Sequence, residues 1–369
     1  MPYKYSHLPE YPVTNDLWDR LAGEHRPIVI YGMGNGADKL FDRLAAYGIT
    51  PAAVFASDGF VRGHSFRGMR VMSLSEVEAT FDDFVILLSF ASNRPEVIEM
   101  LRAVNDRHEM YVPDMPVAGV DEYFDREHYN LHYREIRAAF DALADDESRA
   151  TLAAAVWYKL TGKMEYLLDT YATEDELYSL IGDGVESYID VGAYNGDTVR
   201  AAQKYFPHLR RVIALEPDPK TFRRLEKFAA SVADLDLEII NAAALDTDGV
   251  AELQSAGNRN STITATASYE HRATAVKTVR VDSLTESCDY IKYDVEGAEY
   301  EAILGSDGLI KRAHPTLLIS LYHRSRDIYF LTNLMREKYP QYRLYIRRTL
   351  CLPAWEIALI AVPEEGSEM

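Results

Sequence analysis

The sequence predicts an α/β protein with two doubly wound sheets joined by a helical segment. Residues 27–104 and 188–361 each alternate apolar strand patterns with helix patterns, which is typical of parallel sheets covered by helices. Each stretch opens with a strand, a glycine-rich turn and a helix. Between them, apolar residues recur at helical spacing. The predicted domains are residues 1–120, a helical linker or lid at 121–182, and residues 183–369.

Composition and charge narrow the class of protein. A chain of 369 residues with 47% apolar and 26% charged residues is typical of a soluble two-domain protein. Its formal net charge of −19 argues against nucleic-acid or anionic-membrane partners. Two cysteines give no disulfide framework, and neither a signal-peptide pattern nor a run of about 20 apolar residues occurs. We therefore expect a cytoplasmic protein, whose oligomeric state the sequence leaves undetermined.

The first glycine turn resembles a dinucleotide fingerprint. Its glycines are Gly32, Gly34 and Gly36 in G-M-G-N-G-A, with Ala37 in the place of the third fingerprint glycine. Asp58 follows the next strand and could hold ribose hydroxyls. These four residues predict a nucleotide or nucleotide-sugar site. The alternative is that the glycines only permit a strand and a helix to pack closely.

The second glycine turn, Y-I-D-V-G-A-Y-N-G-D-T at residues 188–198, has different chemistry. Asp190 at the strand end would repel a pyrophosphate but suits an ammonium group or ribose hydroxyls, which favours S-adenosylmethionine (SAM). Glu216 closes the next strand, where an acid accepts ribose hydroxyls; it could instead cap the following helix. Asn241 ends the third strand and could contact adenine or cap its own turn.

Further polar residues follow the later strands. D-V-E-G-A-E contains Asp294, Glu296 and a third acid, more than helix capping needs. His323 lies beyond the carboxyl end of the strand at residues 316–320, where a histidine could take a proton from a hydroxyl. It could instead be a surface residue or pair with Asp327 on one helical face. A divalent cation on Asp294, Glu296 and His323 is chemically compatible, but the spacing does not require one. Residues 251–281 predict an antiparallel extension.

These motifs together resemble the FkbM family of SAM-dependent methyltransferases. D-V-G-A-Y-N-G-D-T, A-L-E-P-D, V-D-S-L and Y-I-K-Y-D-V-E-G-A-E-Y-E-A-I-L occur in this order within residues 186–362. The lead-in D-D-E-S-R and the N-terminal Rossmann-like pattern resemble a two-domain subgroup. The resemblance implies a seven-stranded class I methyltransferase sheet and a small-molecule or glycan acceptor with a hydroxyl group. It places SAM on Asp190, Gly192, Ala193, Asn195, Gly196, Asp197, Thr198 and Glu216.

We therefore predict in-line methyl transfer from SAM to a hydroxyl, with Asp294, Glu296 and His323 facing the acceptor. His323 is the first choice for the general base and Asp294 the second. One alternative is an NAD-dependent oxidoreductase or epimerase that acts through the N-terminal domain. The chain lacks the Tyr-x-x-x-Lys pair suited to that chemistry. The other alternative is a nucleotide-binding protein without catalysis.

Overall fold

A computed structural model describes residues 4–57, 59, 61, 63–118, 122–254, 262–263 and 273–364. Asp58 lies outside the described residues. None of the described helices is both long and apolar enough to cross a membrane.

The N-terminal sheet has the strand order β3-β4-β2-β1-β5-β6, in which only the pairing of β3 with β4 is antiparallel. Its first strand is buried along its whole length, as expected for a parallel strand covered on both faces. The elements are β1 (Ile28–Tyr31), β2 (Ala53–Phe55), β3 (Ser65–Phe66), β4 (Met69–Met72), β5 (Val85–Leu88) and β6 (Glu109–Tyr111), with α1 (Leu17–Ala22), α2 (Asn35–Ala46), α3 (Leu74–Thr80) and α4 (Pro95–Asn105).

Five helices follow, and the longest contributes to the cores of both sheets. They are α5 (Arg126–Leu131), α6 (Tyr133–Asp141), α7 (Asp146–Thr161), α8 (Glu165–Leu168) and α9 (Glu174–Ile181). Helix α7 begins after Asp145, whose carboxylate accepts from the Ser148 N–H, and ends at left-handed Gly162. Its Tyr158 packs in the N-terminal core, while Leu152 and Val156 pack in the C-terminal core. The helical segment therefore joins the two sheets.

The C-terminal sheet confirms the predicted methyltransferase topology. Its order is β16-β17-β15-β14-β7-β8-β9, and β17 runs antiparallel to both neighbours. The strands are β7 (Ser187–Val191), β8 (Arg211–Leu215), β9 (Asp236–Ile240), β14 (Tyr290–Tyr293), β15 (Thr316–Ser320), β16 (Tyr342–Arg348) and β17 (Ile357–Pro363). The helices are α10 (Asp197–Tyr205), α11 (Pro219–Ala229), α12 (Glu299–Leu304), α13 (Asp307–Ala313) and α14 (Asp327–Lys338).

A four-stranded sheet, in the order β10-β13-β11-β12, extends from this domain. The predicted antiparallel extension is confirmed by the pairing of β11 with β13. The strands are β10 (Ala243–Ala244), β11 (Gly249–Gln254), β12 (Thr262–Ile263) and β13 (Ala273–Val279), followed by a 3₁₀ turn at Val281–Ser283.

The starts of two helices bear on the site. Helix α11 begins at Pro219, because Asp218 caps it and proline suits the first helical position. Helix α14 begins only at Asp327. The hypothesis that His323 and Asp327 share a helical face is therefore wrong, since His323 belongs to the preceding loop.

Candidate functional site

A cavity of about 230 Å³ lies at the carboxyl ends of the parallel strands in the C-terminal sheet. Open α/β sheets bind their ligands at this edge. The lining comes from the ends of β7, β8, β14 and β15 with the loops that follow them, from the residue before β17, and from β10 and β11 of the four-stranded extension. Among the predicted site residues, it includes Gly192, Asp197, Thr198, Glu216, Asp294 and Glu296.

The glycine turn after β7 fits closely against two other elements. A Cβ on Gly192 would lie 1.9 Å from the Asp294 carbonyl oxygen, and one on Gly196 would lie 2.1 Å from the Phe228 ring. Both glycines also have positive φ, a conformation that costs glycine little. The turn brings α10 and the Asp294 loop together at one edge of the sheet. Ala193 is buried in the core behind the turn, and Asn195 lies within it.

Asp190 is completely buried beneath the cavity instead of lining it. Its Oδ2 accepts a short hydrogen bond from the Thr198 hydroxyl, and its Oδ1 lies 3.7 Å from Lys292 Nζ. Within the part of the chain that the structure describes, Oδ1 accepts no hydrogen bond. Burial raises the pKa of Asp190, although the Lys292 ammonium opposes that shift. Asp190 is thus placed to fix the turn and to influence the cavity by its charge.

Glu216 lines the cavity where β8 ends. Its carboxylate accepts hydrogen bonds from the Tyr194 N–H at 3.0 Å and the Asp218 N–H at 2.8 Å. Burial raises the pKa of Glu216 to about 7, and these two N–H groups only partly offset the shift. The helix-capping alternative does not describe this residue, because the cap of α11 is the Asp218 side chain.

Asn241 supports the turn that carries Glu216. Its amide nitrogen donates to the carbonyl oxygens of Glu216 at 2.7 Å and Pro217 at 3.1 Å. It does not belong to the cavity lining. This geometry favours the structural alternative, and adenine contact by Asn241 remains a prediction.

Asp294 is held at the cavity wall by four polar neighbours. Its Oδ1 accepts hydrogen bonds from Ser320 Oγ at 3.1 Å and Tyr322 Oη at 3.0 Å, and its Oδ2 accepts one from Lys292 Nζ at 3.2 Å. His323 Nε2 lies 3.5 Å from Oδ1. Burial alone would raise the pKa of Asp294, but the Lys292 and His323 cations lower it to about 2. Asp294 is consequently ionised at neutral pH.

His323 lies behind the acidic residues of the cavity wall and has no exposed surface. Its Nδ1 is 2.8 Å from Glu299 Oε1, and its Nε2 is 3.6 Å from Glu296 Oε2. Burial alone would lower its pKa, but Glu299, Asp294 and Glu296 together raise it to about 10. A histidine that is protonated at neutral pH has no lone pair to accept a proton. The geometry therefore disfavours His323 as the general base, the role we first assigned to it.

The structure also brings residues to the cavity that the sequence did not single out. They are Lys292, Tyr322 and Glu356. Lys292 pairs in register with Asp190 across two central strands, and its ammonium lies between Asp190 and Asp294. A lysine within the otherwise apolar strand Y-I-K-Y was the available signal, because a buried lysine needs a charged partner.

Backbone strain is concentrated at the same cavity. Among the described residues, five non-glycine residues have positive φ. Three of them line the cavity, namely Tyr194, Glu296 and Glu356. Such conformations cost of order 1–3 kcal/mol each and cluster at functional sites. Within the described ranges, no group of three or more His, Cys, Asp or Glu side chains could hold a metal ion.

The predicted N-terminal nucleotide site has a different geometry. A Cβ on Gly36 would lie 2.0 Å from the Ser89 carbonyl oxygen, and one on Gly32 would lie 2.6 Å from Ser89 Oγ. The loop that follows β5 therefore occupies the space beside these two glycines. Gly34 has open space around it. Close packing of the strand and the helix explains why glycine occupies positions 32 and 36, in agreement with the alternative interpretation. Nucleotide binding at this turn remains a prediction.

Comparisons with known proteins agree with the C-terminal fold. Residues 190–348 match the Methyltransferase FkbM domain. A solved methyltransferase FkbM from Methylobacillus flagellatus KT is 19% identical with a TM-score of 0.68, covering 93% of this chain and 92% of that chain. A putative methyltransferase from Streptococcus mutans in complex with SAH is 9% identical with a TM-score of 0.34, covering 52% of this chain and 99% of that chain. No curated protein sequence matches the chain.

The sheet order and the matched domain define a class I methyltransferase fold for the C-terminal domain. Within that class, the domain of residues 190–348 belongs to the FkbM family. The resemblance found in the sequence motifs is thereby confirmed, and the similarity to the Methylobacillus flagellatus structure extends the shared fold over both sheets.

Proposed function

We propose that this protein transfers a methyl group from SAM to a hydroxyl oxygen of a small-molecule or glycan acceptor. The observation that carries the proposal is the ionised Asp294, held at the wall of the same cavity that Glu216 lines. The cavity thus offers one carboxylate for ribose hydroxyls and a second one for the acceptor.

The cavity residues fit a SAM molecule. Glu216 would accept the ribose hydroxyls, and the close-packed turn at Gly192 leaves main chain at the cavity wall. The Asp190 carboxylate is buried beneath the cavity, and its Oδ1 accepts no hydrogen bond within the described chain and lies 3.7 Å from Lys292 Nζ. Its charge would favour the ammonium group of the ligand from below the cavity. When bound, SAM supplies an activated methyl group on its positive sulfonium. The protein's own contribution is then largely to orient the reactants, worth up to about 7–11 kcal/mol in favourable systems.

Asp294 is our choice for the proton acceptor. As the acceptor oxygen forms its bond to the methyl carbon, the S–C bond breaks and its electron pair remains on sulfur. The attacking hydroxyl becomes a protonated ether, a far stronger acid than a carboxylic acid. A carboxylate with a pKa near 2 can therefore take that proton late in the step. The products are a methyl ether, S-adenosylhomocysteine and a proton that Asp294 passes to solvent.

Lys292 and His323 support this role by their positive charges. Lys292 Nζ lies 3.2 Å from Asp294 Oδ2, and His323 Nε2 lies 3.5 Å from Oδ1. Both keep the Asp294 carboxylate ionised and in place. Glu299 in turn fixes the His323 ring through Nδ1. We therefore assign His323 a positioning role and leave the proton transfer to Asp294.

The first test is calorimetric titration with S-adenosylhomocysteine, then NAD and UDP, on the same sample. We expect S-adenosylhomocysteine to bind and Glu216→Ala to weaken that binding strongly. Binding of NAD or UDP alone would overturn the assignment and favour the oxidoreductase or nucleotide-binding alternative. Candidate acceptors are then screened with methyl-labelled SAM. A labelled product that is stable in base is consistent with a methyl ether. Asp294→Asn should lower turnover by about 10²–10⁴-fold, whereas the exposed Glu238→Gln should not.

A further inference from the structure

The N-terminal domain contains a second cavity of about 220 Å³, nearly as large as the one in the C-terminal sheet. It lies at the carboxyl ends of β1 and β5, the position where open α/β sheets bind ligands. Its wall is completed by Pro353 and Trp355, which come from the loop between β16 and β17 of the other sheet. The cavity is therefore formed by both domains.

Two chain segments connect this second cavity to the methyl-transfer site. Trp355 lines the N-terminal cavity, while its neighbour Glu356 lines the C-terminal one. Adjacent Cα atoms are about 3.8 Å apart. The second segment follows β6: Val117 lines the N-terminal cavity, and the next residue, Ala118, donates its N–H to the His323 carbonyl oxygen at 2.8 Å. The two cavities therefore lie close together, with Trp355 lining one and Glu356 lining the other.

The second segment is also anchored on both sides. Lys39 Nζ donates to the Pro116 carbonyl oxygen at 2.6 Å, and Asp114 forms a buried ion pair with Lys159 at 2.8 Å. On the opposite side, a Cβ on Gly297 would lie 2.8 Å from Ala118 Cβ, so the loop after β14 packs directly on this segment. The segment after β6 is thus a fixed part of the structure.

The lining does not suit a phosphate group. The Ser89 carbonyl oxygen fills the space beside Gly36 and would repel an anion. The Lys39 ammonium points to the carbonyl oxygens of Pro116 and Val117. What remains is an aromatic and aliphatic surface with a few neutral polar groups. It includes Phe90, Trp355, Met33, Met115, Asn35 and Ser89.

We propose that this interdomain cavity is an acceptor subsite that binds an uncharged, hydroxylated ring, such as a glycosyl unit adjoining the hydroxyl to be methylated. A glycosyl ring has an apolar face for Phe90 and Trp355 and hydroxyls for Asn35 and Ser89, the combination that recognition cavities provide. Its neighbour cavity then receives the reacting hydroxyl at Asp294. This proposal rests on the proposed function, since it assigns a part of the same acceptor.

Saturation-transfer NMR with methyl β-glucoside, methyl β-galactoside and methyl β-N-acetylglucosaminide tests the subsite. We expect ring-proton signals from at least one glycoside with the wild-type protein, reduced about fivefold in Trp355→Leu by loss of the aromatic contact. Phe330→Leu, in a separate surface groove, is the matched control and should leave the signals unchanged. No binding by any glycoside, or equal signals in Trp355→Leu, would overturn the subsite.

Calorimetry with S-adenosylhomocysteine on the same three proteins separates this proposal from the proposed function. We expect equal affinity in all three, because Trp355 does not line the C-terminal cavity. Failure of the wild-type protein to bind S-adenosylhomocysteine would contradict the methyltransferase assignment, whatever the glycosides do. Normal S-adenosylhomocysteine binding without glycoside binding would contradict the subsite alone.

Discussion

The titration of Glu216 predicts how the affinity for S-adenosylhomocysteine depends on pH. Burial raises the pKa of this carboxyl to about 7 in the free protein, so it changes charge within an accessible pH range. Only the ionised form offers its full set of lone pairs and its charge to ribose hydroxyls. We therefore expect affinity to be high above this pKa and to fall as pH decreases through it.

The magnitude follows from the ionised fraction. With a pKa of about 7, that fraction drops about tenfold between pH 8 and pH 6, which corresponds to about 1.4 kcal/mol. The dissociation constant should rise about tenfold over the same interval. Binding should also release a proton near neutral pH, because the ligand favours the ionised carboxylate.

Isothermal titration calorimetry at several pH values, in two buffers of different ionisation enthalpy, measures both effects. In Glu216→Gln the pH dependence and the proton release should disappear, and affinity at high pH should fall roughly tenfold or more, as for a lost charged hydrogen bond. Glu238→Gln, an exposed change on the neighbouring strand, should behave like wild type. A wild-type affinity that is flat across this range, or a pH dependence that persists in Glu216→Gln, would refute the reasoning.

Three further changes test other parts of the site. Gly192→Ala should lower the melting temperature and abolish S-adenosylhomocysteine binding, because its Cβ would lie 1.9 Å from the Asp294 carbonyl oxygen. Gly184 has open space around it, so the control variant Gly184→Ala should keep the wild-type melting temperature in the same thermal scan. Equal melting temperatures for the two variants would contradict the packing account. Lys292→Met removes the cation between two carboxylates and should cost roughly 3 kcal/mol of unfolding free energy, measured by urea denaturation; an unchanged midpoint would show that the charges are not coupled. His323→Gln should reduce turnover through Asp294 while S-adenosylhomocysteine affinity stays constant, and kinetics that keep the wild-type kcat would remove His323 from the mechanism.

Much of the C-terminal fold was predictable because its signals are local. The strands Arg211–Leu215, Tyr290–Tyr293 and Thr316–Ser320 have the bounds expected from their apolar runs. The turn at Gly192 was recognisable because acid, glycine and helix start follow one another in the chain. Such patterns depend only on neighbouring residues.

Other features depend on contacts between distant parts of the chain. The protonation of His323 results from Glu299, Asp294 and Glu296, which lie on the loop after β14 and at the start of α12. A sequence shows each residue type but not which charges surround it, so the histidine was first assigned as a base. Glu356 likewise reaches the cavity from the end of the loop between β16 and β17, and only the sheet topology places it there.

The N-terminal glycine turn illustrates the limit of a motif. Its spacing resembles a dinucleotide fingerprint, but the Ser89 loop packs where a ligand would approach Gly36. Strand β6 was also missed in the sequence, since three residues, Glu109–Tyr111, give too short a pattern. The first outcome follows from packing between segments far apart in the chain, and the second from the shortness of the strand.

The most direct test of the account is a crystal structure of the protein with S-adenosylhomocysteine. We predict the ligand in the C-terminal cavity, with its ribose hydroxyls on the Glu216 carboxylate and its sulfur facing Asp294. A ligand in the N-terminal cavity, or one whose ribose does not contact Glu216, would contradict the assignment of the methyl-transfer site.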